Sequence, residues 1–162
     1  MKNSLIRDAL VPAMAATTKE GAVRELVGAL HAAGFFKPGD VPAVVGEIMR
    51  REGLGSTGIG RGVAIPHSRF EGLPRLVGTL GLSKAGIPFQ SIDGHDVQLI
   101  FLLVSRPDQP GPHLHLLETI VRVSESDEFL AAMRACETKD EMWALIENTP
   151  DPWAQDDEHP EA

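Results

Sequence analysis

Between Gly53 and His67 the chain reads Gly53-Leu54-Gly55-Ser56-Thr57-Gly58-Ile59-Gly60-Arg61-Gly62-Val63-Ala64-Ile65-Pro66-His67, with Arg51 just upstream. Guanidinium, hydroxyls and glycine-loop amides are groups that hold a phosphate, through charge-assisted hydrogen bonds and a concave nest of N–H donors. Ser56, Thr57 and Gly58 are the candidate cradle, and Arg51 supplies positive charge. An imidazole with an ordinary pKa of about 6.5 offers an unprotonated nitrogen at neutral pH, so His67 is a candidate nucleophile. The same residues also fit a glycine loop that merely turns a corner, with His67 an ordinary surface side chain. On composition and spacing alone that plainer reading is the better one.

Gly53-Leu54-Gly55-Ser56-Thr57-Gly58 matches the dinucleotide pattern G-x-G-x-x-G. That pattern needs a strand before it and a helix after it, because the helix N-terminus holds the pyrophosphate. Here a helix precedes and a strand follows, and no Gly-Lys-Ser/Thr is present. A nucleotide site is not expected. His113 and His115 form a His-x-His pair. On a helix, residues two apart point about 200° apart, so the two cannot serve one site. His113 lies next to the face marked by Leu117 and Ile120, which makes it the better candidate; both could equally just begin the helix. His31, His95 and His159 have no credible partner set, and the lone Cys136 reads as a buried thiol. Asp93, Asp96 and Asp108 are turn formers first.

The elements around these residues follow from periodicity. Thr17 and Glu20 stand at capping-box spacing, and Val23, Leu26, Val27 and Leu30 repeat at helical spacing until Gly34. A second helix starts after Asp40, with Val44, Val45 and Ile48 inward and Arg50, Arg51 and Glu52 in its last turn. Five glycines between Gly53 and Gly62 predict a loop. Val63–Ile65 is a short strand ended by Pro66, which leaves His67 at its terminus. Leu76–Leu82 is another, and Val97–Val104 is apolar enough to be buried on both faces. Three helices follow, the first opened by Pro112, the second capped by Ser126 or Asp127, the third by Thr138 with Glu141. Helices and strands interleave, which predicts an α/β fold with helices around a mixed β-sheet. The pattern leaves the strand order open.

The chain of 162 residues suits one domain, here residues 1–149, and a hydrophobic fraction of 43% suffices for a core. With 15 Lys+Arg against 23 Asp+Glu, a net charge of −8 and no basic stripe, nucleic acid and anionic membranes are poor partners. Residues 150–162 hold five carboxylates and three prolines and read as an acidic, disordered tail. One cysteine fits a reducing compartment. Met1–Leu10 reads as neither signal peptide nor anchor, and the run Leu99–Val104 is too short to span a bilayer. A cytoplasmic protein is expected.

From Gly55 to His67 the chain resembles the enzyme IIA component of the fructose/mannitol type of the bacterial phosphoenolpyruvate-dependent sugar phosphotransferase system, most of all the stand-alone nitrogen-regulatory IIA proteins. The resemblance covers residues 3–148. It includes Arg50-Arg51-Glu52, Pro88-Phe89-Gln90-Ser91-Ile92-Asp93-Gly94, the strand Val97–Val104 and His113-Leu114-His115-Leu116. Several separated matches in order outweigh the plainer reading of the loop. The resemblance implies a mixed sheet with helices on both faces and a phosphohistidine mechanism without metal or nucleotide cofactor. His67 would accept a phosphoryl group from an HPr-type carrier and pass it to a IIB partner, or signal to regulatory targets such as transporters and sensor kinases. His113 and Arg51 would stabilise the phosphoryl charge, with Thr57 a hydroxyl contact. Ser68-Arg69-Phe70 departs from the Gly or Ala and Lys that relatives often carry there.

Overall fold

The computed structural model describes residues 1–150. The acidic tail expected from residue 150 onward lies, beyond Pro150, outside the described residues. Five strands form one mixed sheet: β1 (Gly58–Gly60), β2 (Val63–Ala64), β3 (His67–Arg69), β4 (Val77–Ile87) and β5 (Val97–Ser105). β5 is central. β4 pairs with it antiparallel on one side. On the other side β2 pairs parallel at Leu99 and Ile100, and β3 pairs parallel at Leu103, Val104 and Ser105. β2 and β3 are thus two halves of one strand broken at Ile65-Pro66. Proline has no N–H to donate, but its carbonyl still accepts from the Leu103 N–H at 3.1 Å, so the ladder resumes at once.

Alternation along β5 divides the core, as a period of two requires. Ile100, Leu102 and Val104 pack with α1 (Lys19–Ala32) and α2 (Asp40–Leu54). Leu99, Phe101 and Leu103 face α3 (Pro110–Val123), α4 (Asp127–Arg134) and α5 (Lys139–Asn148). The expected strand buried on both faces, flanked by helices on both, is what forms.

Several boundaries differ from the sequence reading. The first helix is capped by Thr18, whose hydroxyl accepts from the Gly21 N–H, and not by Thr17. Gly53 and Leu54 complete α2 instead of opening a loop, and Gly58–Gly60 pairs with β2 as a strand. Glycine density misled there because pairing supplies what propensity withholds. His67 opens β3 instead of following the end of a strand. β4 runs on to Ile87, and α3 starts at Pro110, two residues earlier than Pro112 suggested. The caps at Ser126 and Thr138 hold: each hydroxyl accepts from the backbone N–H three residues on.

Candidate functional site

His67 reaches the surface where the sheet edge meets both helix layers. Its register partner is Leu103, so it faces the α3 side. Its Nδ1 lies 2.8 Å from the carbonyl oxygen of Ile65. A carbonyl only accepts, so Nδ1 carries the proton and donates, and Nε2 of the neutral ring keeps its lone pair. Burial pushes the His67 pKa below the ordinary imidazole value, opposed by the Ile65 bond, while the Arg51 and Arg69 charges push the same way as burial. Near neutral pH the ring is therefore uncharged.

His113 comes from the first turn of α3, on the other side of the cavity. The two rings meet edge to face, with centroids 5.2 Å apart and planes at 64°. His113 is buried, and burial, then the positive charge His67 can carry, then Arg69, lower its pKa to about 4. Its Nδ1 lies 2.5 Å from the hydroxyl of Ser105 at the end of β5. His115 is exposed and lines no part of the cavity, which agrees with the facing argument.

Arg51 arrives from α2. Its guanidinium donates to the Gly55 carbonyl at 2.8 Å, closing the helix it belongs to. Together Arg51, His67, Ser68, Arg69, His113 and Leu114 form most of the lining of a cavity of about 530 Å³. Leu114 is 56% exposed, which gives the cavity an apolar rim. Two arginines, Arg51 and Arg69, beside the free lone pair of the His67 imidazole can accept and hold an oxyanionic group; Arg50, also in the lining, is paired with the Glu47 carboxylate.

The structure does not bring Ser56, Thr57 and Gly58 into this lining. The Thr57 hydroxyl donates to the buried Glu52 carboxylate in a short bond, and the Thr57 N–H donates to the same carboxylate at 3.3 Å. The Ser56 hydroxyl donates to the Phe89 carbonyl and accepts from the Gly58 N–H. Lys19 completes the arrangement, its Nζ 3.0 Å from Glu52. These groups lock the segment that leads into β1 and β2, and so support His67 from behind.

Of the cavity residues that were not singled out as site residues by sequence, Arg69 and Ser68 lie nearest His67 in the chain. Arg69 was visible only as a departure at the rim. Strand alternation could have placed it: two residues on, it shares the face of His67. Ser68 lines the cavity too, with a buried hydroxyl that has no hydrogen-bond partner among the described residues. The remaining candidates behave as read. Asp93 accepts from the backbone N–H of Arg61 and His95, and Asp108 pairs with Arg106. The Cys136 thiol is buried, and that burial raises its pKa. His31 donates from Nδ1 to the Phe36 carbonyl. His159 lies outside the described residues. Among the described residues no helix is long and apolar enough to cross a membrane.

Comparison with known proteins identifies relatives of the whole fold. The nitrogen regulatory protein of Escherichia coli strain K12 is 36% identical over 132 residues, covering 78% of this chain and 79% of that protein. The crystal structure of the nitrogen regulatory protein IIA-Ntr of Neisseria meningitidis superposes with a TM-score of 0.80 at 27% identity, covering 90% and 97% of the two chains. The mannitol IIA of Escherichia coli, solved in complex with phosphorylated mannitol IIB, shares the fold with a TM-score of 0.72 at 18% identity, over 88% and 96%. Residues 5–149 match the family described as Phosphoenolpyruvate-dependent sugar phosphotransferase system, EIIA 2. An edge-strand imidazole framed by a second imidazole and arginines thus sits in a chain that belongs to the type 2 EIIA family of the phosphotransferase system.

Proposed function

We propose that the chain is a phosphocarrier whose acceptor atom is Nε2 of His67. The observation that carries this reading is the Ile65 carbonyl at 2.8 Å from Nδ1, which leaves Nε2 as the nucleophile. The incoming phosphoryl group would come from the phosphohistidine of an HPr-type carrier. Its N–P bond breaks as the Nε2–P bond forms, and the donor ring recovers its lone pair. The His67 ring becomes positive as that bond forms, and the Ile65 carbonyl steadies the proton that stays on Nδ1. Such transfers ask mainly for positioning and for charge opposite the phosphoryl oxygens. Arg51 and Arg69 would supply that charge, and the neutral His113 ring would add a hydrogen bond.

The supporting experiment is incubation of the chain with phosphoenolpyruvate, enzyme I and an HPr-type carrier. An acid-labile mass gain of about 80 Da is expected for one phosphoryl group. It should vanish in His67→Ala and persist in His115→Ala; labelling that survives the first change and fails in the second sinks the assignment. The onward acceptor would be a IIB component, the class that the mannitol neighbour was solved with.

A regulatory output is the second reading, favoured by the name of the 36% identical relative. Phosphorylation adds about −1.5 to −2 charges beside the exposed Leu114, enough to alter what docks there. Transporters and sensor kinases are the candidate targets. Affinity capture with wild type and His67→Asp tests it: identical partner sets would remove a phosphorylation-gated switch.

A further inference from the structure

The Ser105 hydroxyl and His113 Nδ1 are 2.5 Å apart, and both side chains are withdrawn from solvent, Ser105 fully. Such a bond can run in either direction. If Nδ1–H donates to the oxygen, the hydroxyl proton must find another acceptor. Among the described residues the Ser105 hydroxyl has His113 as its hydrogen-bond partner and no second one. A buried hydroxyl proton without an acceptor carries the full desolvation penalty of that group. If the hydroxyl donates to Nδ1 instead, both groups are satisfied. The imidazole proton is then confined to Nε2, the ring nitrogen left for the cavity.

We propose that Ser105 is a positioning residue of the phosphoryl site: by donating to Nδ1 of His113 it keeps the proton on Nε2, so the ring meets phosphoryl oxygen as a donor. The opposite tautomer would present a lone pair to an anionic oxygen and repel it. This inference rests on the phosphocarrier reading of the cavity. It also gives the two neighbouring rings opposite tautomers. His67 has its proton on Nδ1 because Ile65 offers only an acceptor, and His113 has its proton on Nε2 because Ser105 offers a donor. One ring is thereby a nucleophile and the other a hydrogen-bond donor, with neither charged.

The test begins with nitrogen-15 spectra of the imidazoles in the unphosphorylated full chain at neutral pH. His113 is expected to show an unprotonated, hydrogen-bonded Nδ1 and a protonated Nε2; a protonated Nδ1 overturns the proposal. In Ser105→Ala the Nδ1 resonance should move to that of a nitrogen without a bonded proton donor. Phosphoryl transfer to His67 should slow about tenfold in the same variant, as expected for loss of one preorganised donor interaction. Ser105→Thr, which keeps the hydroxyl, should restore both. An unchanged Nδ1 resonance and rate in Ser105→Ala, or a folded Ser105→Thr no better than Ala, overturns the proposal. Absence of any labelling on wild-type His67 would count against the phosphocarrier reading instead. The imidazole spectra, taken without phosphate, would still decide the tautomer.

Discussion

His67 and His113 reach each other from different elements, an edge strand and a helix start, and their rings meet edge to face with 5.2 Å between centroids. Burial lowers the readiness of both rings to take a proton, and the charge His67 can carry lowers that of His113 further. The His67 ring therefore stays neutral at pH values where a free histidine is already charging. Transfer rates to His67 are expected to hold as pH falls to 6.5, the ordinary imidazole value, with the acid limb lying below it. A rate that halves at or above pH 6.5 under saturating donor would contradict this.

The same burial makes stability depend on pH. The unfolded chain protonates His113 near pH 6.5, whereas the folded chain does so only at about 4. Between those values the unfolded state binds more protons, so acid favours unfolding. The stability concerned is complete above 6.5, is lost as pH falls toward 4, and changes no further below. Its size is on the order of 3 kcal/mol. Urea midpoints at pH 7 and 4.5 should show a smaller gap in His113→Asn than in wild type.

Arg69 shares the cavity with His67 and its charge reaches both histidines. Arg69→Gln should slow phosphoryl acceptance roughly three- to tenfold, a typical loss for one partly exposed charge contact. Stability should stay within about 0.5 kcal/mol, since the side chain is exposed. Rapid-quench kinetics at low and high salt would check this, and an unchanged rate at low salt would rule Arg69 out of the site. Arg51 is a less clean probe, because its guanidinium also caps α2 at Gly55.

Glu52 is 5% exposed and binds Lys19 and Thr57 at once. Glu52→Ala strands a largely buried ammonium and two donors of Thr57. It should cost about 3 kcal/mol, within the range for breaking a buried pair from one side. Lys19→Met, which keeps an apolar stem over Phe89, should cost less. Thermal melts of the two variants give the comparison, and equal losses would mean that Thr57 contributes nothing.

Gly58 is required by close approach. A Cβ there would come within 2.9 Å of the Ser91 Cβ and 3.0 Å of its Cα. Gly58→Ala should destabilise by about 1–3 kcal/mol. Adding Ser91→Gly should recover part of this, since the contact with backbone remains. Strict additivity in that double-mutant cycle would show that the two positions do not touch.

Much of the frame was legible because β5 and the long helices carry unambiguous periods. Leu99 to Val104 could only be a strand covered on both sides, and Leu116 with Ile120 could only face a sheet. The site was legible in pieces. His67, His113 and Arg51 were named, but nothing in a linear sequence says that Thr57 spends its hydroxyl on Glu52. Ser56, Thr57 and Gly58 were read as a cradle because free amides and hydroxyls look alike whether they point outward or back. Ser105 was invisible for a related reason: a small residue ending an apolar strand shows no partner until the helix that follows folds over it.

The Ile65 carbonyl gives the chemistry a regiochemical sense. Rotating the His67 ring to offer Nδ1 would break that bond, so the same nitrogen would be modified at each turnover. The adduct should then be a single positional isomer, tele-phosphohistidine. Making and breaking one N–P bond for another leaves little bond energy to dissipate, so transfer would run in both directions. Which way it runs would be set by how each protein surrounds its ring, and here by Arg51, Arg69 and His113.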